Sequence, residues 1–250
     1  MADLQVEDAA IETLAEAVGA SALARQARPA STAFLLVVLA LAGCGGQGLA
    51  DAPRAPQLEF PDGRPNQAFS EDVWVDSVER GLVAHAVAVN SADFSAPDLL
   101  DLWSAARVRS MVSASQGDLL RGSAAVWMGP RPFEALEVVE APGGRSAEVI
   151  GCAAEPDIVS EVPRPTGDGR AVPFAYLLEL SPDGHRQIVG AGKPAEAPAL
   201  SDGRAVTEEL CATVEIRRPV FDPAPDLKAL VAKDRDDVVH PTAATPAGRS

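Results

Sequence analysis

Histidine, cysteine and lysine occur three times each in this chain of 250 residues, and tyrosine once. The scarcity of histidine narrows the chemistry first. A nucleophilic triad needs an imidazole beside Ser or Cys, but His185 follows a turn glycine and His240 lies near the C-terminal end. Only His85 falls on a stretch with helical amphipathic spacing. Gly-x-Ser-x-Gly, Gly-x-x-x-x-Gly-Lys, His-Glu-x-x-His and Cys-x-x-Cys are all absent, which disfavours the common hydrolase, NTPase and zinc chemistries. No metal, cofactor or catalytic residue is expected. Three lysines beside a net charge of −15 make a surface that repels phosphate backbones, so nucleic acid is not an expected partner. Asp-Gly followed by a basic residue occurs four times, at Asp62, Asp168, Asp183 and Asp202. Calcium loops need several alternating acids before the glycine, whereas these have one each and read as turns. No apolar run reaches the ~20 residues that cross a bilayer.

The longest apolar run, Thr32 to Leu41, follows Arg25 and Arg28 and ends in Leu41-Ala42-Gly43-Cys44. Its length suits the hydrophobic segment of a secretory signal; an apolar core segment or a short uncleaved anchor is the other reading. Small residues at Ala42 and Gly43 let a peptidase grip extended backbone, and the thiol after them can take a lipid. The pattern resembles the lipobox of bacterial lipoproteins. The resemblance implies that residues 1–43 are a signal peptide and that the mature chain begins at Cys44. It also implies acyl chains such as palmitate on that cysteine, with the protein held outside the cytoplasmic membrane by its lipid. Asp3, Glu7, Asp8, Glu12 and Glu16 stand where a signal is normally basic, so residues 1–24 read as an over-long start or as a cytoplasmic helix. Nine Gly or Pro residues between Gly43 and Pro65 make 44–68 a tether, with an end-to-end distance on the order of 25 Å. Once Cys44 is assigned to lipid, Cys152 and Cys211 are an even pair in an exported chain. Such a pair reads as a disulfide, or else as two buried thiols.

The remaining ~150 residues make one ordinary domain. Ser70 is placed as a helix cap with Phe69 before it, and Trp74, Val78, Leu82 and Ala86 recur every four residues, predicting a helix over 71–89. Gly81 weakens it. Ser95-Ala96-Pro97-Asp98 predicts a second start, and helical spacing continues to a stop at Gly122, for three short helices in all. After Pro132 the period becomes two. Strands are predicted over 134–140 and 147–153, split by Pro142-Gly143-Gly144, and over 174–180 and 186–190, split by Ser181-Pro182-Asp183-Gly184. Ala212, Val214 and Ile216 predict a last strand beside Cys211. Pro225 to Lys233 suits one short helix, and 219–250 otherwise reads as a mostly disordered extension.

Helices followed by an antiparallel sheet predict an α+β domain over 69–218. The order of elements, the cysteine in Val149-Ile150-Gly151-Cys152, the Asp-Gly hairpin and the late Cys211 resemble secreted bacterial lipoproteins with an NTF2-like, cystatin-like cone domain. The resemblance implies N-terminal helices packed on a curled sheet, with inward-facing side chains around a concave pocket; His85, Trp103, Trp127 and Tyr176 are the candidates. The expected function is non-catalytic: binding or scaffolding at the bacterial cell envelope, with an envelope protein or a small ligand as partner. The alternative is an isomerase- or dehydratase-like enzyme in which His85 works with an acid such as Asp101 or Glu179.

Overall fold

The computed structural model describes residues 56–61, 63, 67–162 and 169–241. The signal segment, Cys44 and the tether as far as residue 55 lie outside the described residues. In chain order the elements are β1 (Gln57–Glu59), α1 (Val73–Ser91), α2 (Pro97–Leu102), α3 (Ala105–Leu120), β2 (Ala125–Trp127), β3 (Phe133–Glu140) and β4 (Ser146–Ala153). There follow β5 (Ile158–Ser160), β6 (Val172–Leu180), β7 (Arg186–Gly192), α4 (Glu208–Cys211), β8 (Val220–Asp222) and α5 (Leu227–Val231). The domain is α+β with antiparallel sheets, as the order of patterns predicts. No described helix is long and apolar enough to cross a membrane.

The cap of α1 is Asp72 and not Ser70: its carboxylate accepts from the backbone N–H groups of Trp74 at 2.8 Å and Val75 at 3.0 Å. A shared carboxylate satisfies two orphan donors where Ser70, two residues earlier, precedes the helix. Trp74 is therefore the second helical residue, too early for the predicted staple. The apolar stripe itself holds, with Trp74, Val78, Leu82 and Ala86 all buried. Helix α2 starts at Pro97 after Ala96, a position where proline's missing N–H costs nothing. Ser95 is not its cap; its N–H and hydroxyl both donate to Asp93. Between α2 and α3 the chain breaks at Trp103, which takes extended backbone, bridges to Ile188 and donates its indole N–H to the Gly81 carbonyl at 2.8 Å. A Cβ on Gly81 would lie 2.7 Å from the Ile188 side chain and 3.2 Å from Trp103 Nε1. The glycine that weakens α1 as a helix therefore lets α1, Trp103 and β7 meet.

The main sheet has the order β3-β4-β6-β7, with Val149 opposite Tyr176 and Leu178 opposite Ile188. Both predicted turns are present, with Gly143, Gly144 and Gly184 at positive φ. Because side chains alternate along a strand, β4 and β6 serve two cores. Ala147, Val149, Tyr176 and Leu178 face a cluster with Trp74, Val78, Leu99 and Val108 from the helices. Ile150, Cys152 and Ala175 face the other way, onto Leu200, Val206 and Cys211. In β3 a register shift between Ala135 and Glu137 lets Ala135 and Val138 pack on the first cluster and Leu136 on the second, the parity change a bulge produces.

Segment 191–218 covers that second face, and here the predicted last strand is corrected. Thr207 caps α4 by accepting from the Leu210 N–H, and residues 212–216 follow as turn and coil. Val214 and Ile216 are partly buried on the second cluster, so their alternation is met by packing without a ladder. The Cys152–Cys211 disulfide is present, with Cα atoms 5.5 Å apart; it joins a strand to a helical turn. Four short strands escaped the pattern: β2 pairs with β5, and β1 with β8, both antiparallel. The second pair, together with buried Leu230 on α5 and buried Val238, carries the fold past the predicted limits of 69 and 218, and corrects the mostly disordered extension for residues 219–241. The helix predicted there exists, capped by Asp226. Hydrogen bonds from Phe94 to the Val239 carbonyl and from Val239 to the Ala92 carbonyl tie the end of the described chain to α1.

Candidate functional site

A cavity of about 430 Å³ lies among α1, α3, β2 and β6, and His85, Trp103, Trp127 and Tyr176 all line it. It opens beside exposed Ser110 and Ala114 on α3. Each wall is fixed from behind. Trp103 is held by its indole bond to Gly81. Asn90 clamps the backbone of Trp127, donating to its carbonyl at 2.8 Å and accepting from its N–H at 2.7 Å. Tyr176 is 1% exposed and meets Phe174 at 5.1 Å between ring centroids. The His85 imidazole stands between two indoles, edge-on to Trp103 at 5.5 Å and to Trp127 at 4.9 Å. Desolvation first, and then the Arg131 charge, lower its pKa to about 4, so the ring is neutral at pH 7. Burial pushes the Tyr176 phenol up, which keeps it protonated and a hydrogen-bond donor.

Two arginines that sequence reasoning did not single out complete the lining, Arg107 and Arg131. Arg131 is engaged on two sides: it pairs with Glu155 at 2.6 Å and lies 4.9 Å over the Phe174 ring. Half-buried Arg107 donates its Nε to the Val189 carbonyl at 3.1 Å, and among the described residues its terminal nitrogens meet no carboxylate. Asp118, the acid in the lining, is paired with Arg121 at 2.7 Å. Arg107, Met111, Ala114 and Asp118 recur at helical spacing, so this face of α3 was legible as a stripe. Arg131 sits in the β2–β3 connection, where no periodicity points to it.

Compared with family models, curated proteins and solved structures, the chain matches none. The other titratable candidates do not converge on the cavity. Asp101 lies 3.9 Å from His185, with both side chains about half exposed. Glu179 is exposed on β6, and His240 contacts Gln116. Gly63, Gly169, Gly184 and Gly203 all have positive φ, in keeping with turns; Asp62 and Asp168 lie outside the described residues. Among the described residues no group of three or more His, Cys, Asp or Glu is placed to hold a metal ion. A second titratable cluster lies outside the cavity. Glu134 on β3 is 8% exposed, and burial first, then Glu79, push its carboxyl up to about 7, with Arg217 opposing.

Proposed function

We propose that this chain is a lipid-anchored extracytoplasmic domain, of the NTF2-like cone type, that binds a small molecule at the bacterial cell envelope. The aromatic-walled cavity carries this reading. A volume of about 430 Å³ falls in the range of small-ligand sites, which are mostly apolar with a few placed polar groups. Helices on one face of an antiparallel sheet, with the cavity between them, support the cone architecture. The Cys152–Cys211 disulfide suits an oxidising compartment outside the cytoplasm, and Leu41-Ala42-Gly43-Cys44 supplies the anchor. The isomerase or dehydratase reading needs an acid working with His85; its candidates Asp101 and Glu179 lie elsewhere, and Asp118, the acid in the lining, is paired with Arg121. Binding is therefore the function the cavity supports best.

Titration of the full-length protein with N-phenylnaphthylamine, a neutral dye that brightens in apolar surroundings, tests the reading. Saturable fluorescence is expected in the wild type and should be lost in Ala114→Trp, which fills the cavity mouth from an exposed position and should leave circular dichroism and melting temperature unchanged. No saturable signal, or an equal signal in the filled variant, would overturn it.

A further inference from the structure

Resting on that reading of the cavity, we infer that its ligand is a small organic monocarboxylate with an apolar body, its carboxylate gripped by Arg107 and its body laid against the indole and phenyl walls. The chain carries a net charge of −15, yet two of its arginines line one aromatic cavity. Their charges are spent differently. Arg131 is paired with Glu155 and stacked on Phe174, and so it belongs to the wall. Among the described residues Arg107 is anchored only through its Nε, on the Val189 carbonyl. This bond orients the planar guanidinium and leaves its terminal nitrogens for a partner among the cavity contents. A guanidinium fork of this kind matches a carboxylate bidentately.

The rest of the lining refines the class. A cationic ligand would meet the Arg107 charge. The carboxylate of Asp118 is neutralised by Arg121, so it neither cancels Arg107 nor offers a cation site. With Arg131 committed to Glu155 and His85 neutral at pH 7, one cation is left to balance, which suits a monoanion better than a phosphate dianion. Trp103, Trp127 and Phe174 then present apolar faces to the remainder of the ligand, and among the described residues the His85 ring has no hydrogen-bond partner, leaving a neutral polar group for a ligand atom.

Competition for bound N-phenylnaphthylamine by phenylbutyrate and by its neutral isostere phenylbutyramide separates the inference from the reading beneath it. In the wild type phenylbutyrate is expected to displace the dye at roughly tenfold lower concentration than the amide, the scale of a charge-assisted hydrogen bond. Arg107→Gln should abolish the preference, Arg107→Lys should keep part of it, and Arg80→Gln on the exposed face of α1 should leave it whole. Equal displacement by the two compounds, displacement by neither, or a preference that survives Arg107→Gln overturns the carboxylate inference while dye binding still stands. Failure of the wild type to bind the dye overturns the binding reading, and the inference with it. If Arg107→Gln does not fold, the wild-type preference still decides the inference.

Discussion

Severing the Cys152–Cys211 bridge should cost more than any single contact made by the segment it pins. The bridge joins residues 59 apart in sequence, and on the chain-entropy model closing a loop of that size stabilises by about 4 kcal/mol. What else holds α4 down is modest. The helix has four residues, too few to persist alone, and the Lys193–Glu208 pair at 2.5 Å is exposed on both sides, worth at most ~1 kcal/mol. Burial of Leu200 and Val206 on the second face of the sheet contributes about 2 kcal/mol each, and only while segment 191–218 stays docked. Loss of the bridge therefore weakens the whole covering layer. Urea unfolding of wild type, Cys152→Ala, Cys211→Ala and the double variant, each with and without reductant, measures the loss. Either single change removes the entire link, so singles, double and reduced wild type should fall by nearly the same amount. The cavity lies on the opposite face of the sheet, so dye binding at low temperature should survive reduction. Additive losses in the double variant, or a wild type indifferent to reductant, would show that the two cysteines act as separate core residues.

Opposed titrations should hide one another in the pH dependence of stability. His85 has its pKa lowered from 6.5 to about 4, so its contribution is full above pH 6.5 and lost as pH falls toward 4. Glu134 is raised from 4.5 to about 7, so its contribution is full below pH 4.5 and lost as pH rises through 7. Each amounts to about 3 kcal/mol. In melting profiles Glu134→Gln should unmask a stability that rises with pH across the shared window and His85→Asn one that falls; identical profiles in all three proteins would refute the assignment. Gly151→Ala should cost about 2 kcal/mol or more in chemical unfolding, since its Cβ would lie 2.1 Å from the Glu134 carbonyl oxygen, while Gly192→Ala, with nothing within 4 Å of the added atom, should be nearly neutral. Mass spectrometry of membrane-extracted protein should find an acylated N-terminus at Cys44, and Cys44→Ser should release the chain from the membrane; an intact Met1 would sink the lipobox reading.

Local patterns carried the reading wherever the physics is local. The stop at Gly122, the turns at Pro142-Gly143-Gly144 and Ser181-Pro182-Asp183-Gly184, and the alternation of Phe174, Tyr176 and Leu178 each depend on a few neighbouring residues. With Cys44 assigned to lipid, the two remaining cysteines read as a disulfide or as two buried thiols, and the fold brings Cys152 and Cys211 together as the disulfide. The grouping of His85, Trp103, Trp127 and Tyr176 around a pocket came from the resemblance to cone domains and not from periodicity, and the four line one cavity. Tertiary partners decided the rest. Trp103 breaks the helical run because β7 and Gly81 capture it. Residues 212–216 alternate like a strand but pack on a sheet face whose hydrogen bonds are already used. β1 and β8 exist only because each finds the other across more than half the chain. Most of all, a guanidinium's role depends on what neutralises it: Glu155 takes up Arg131, while Arg107 is left to face the cavity, and no spacing along the chain could separate the two.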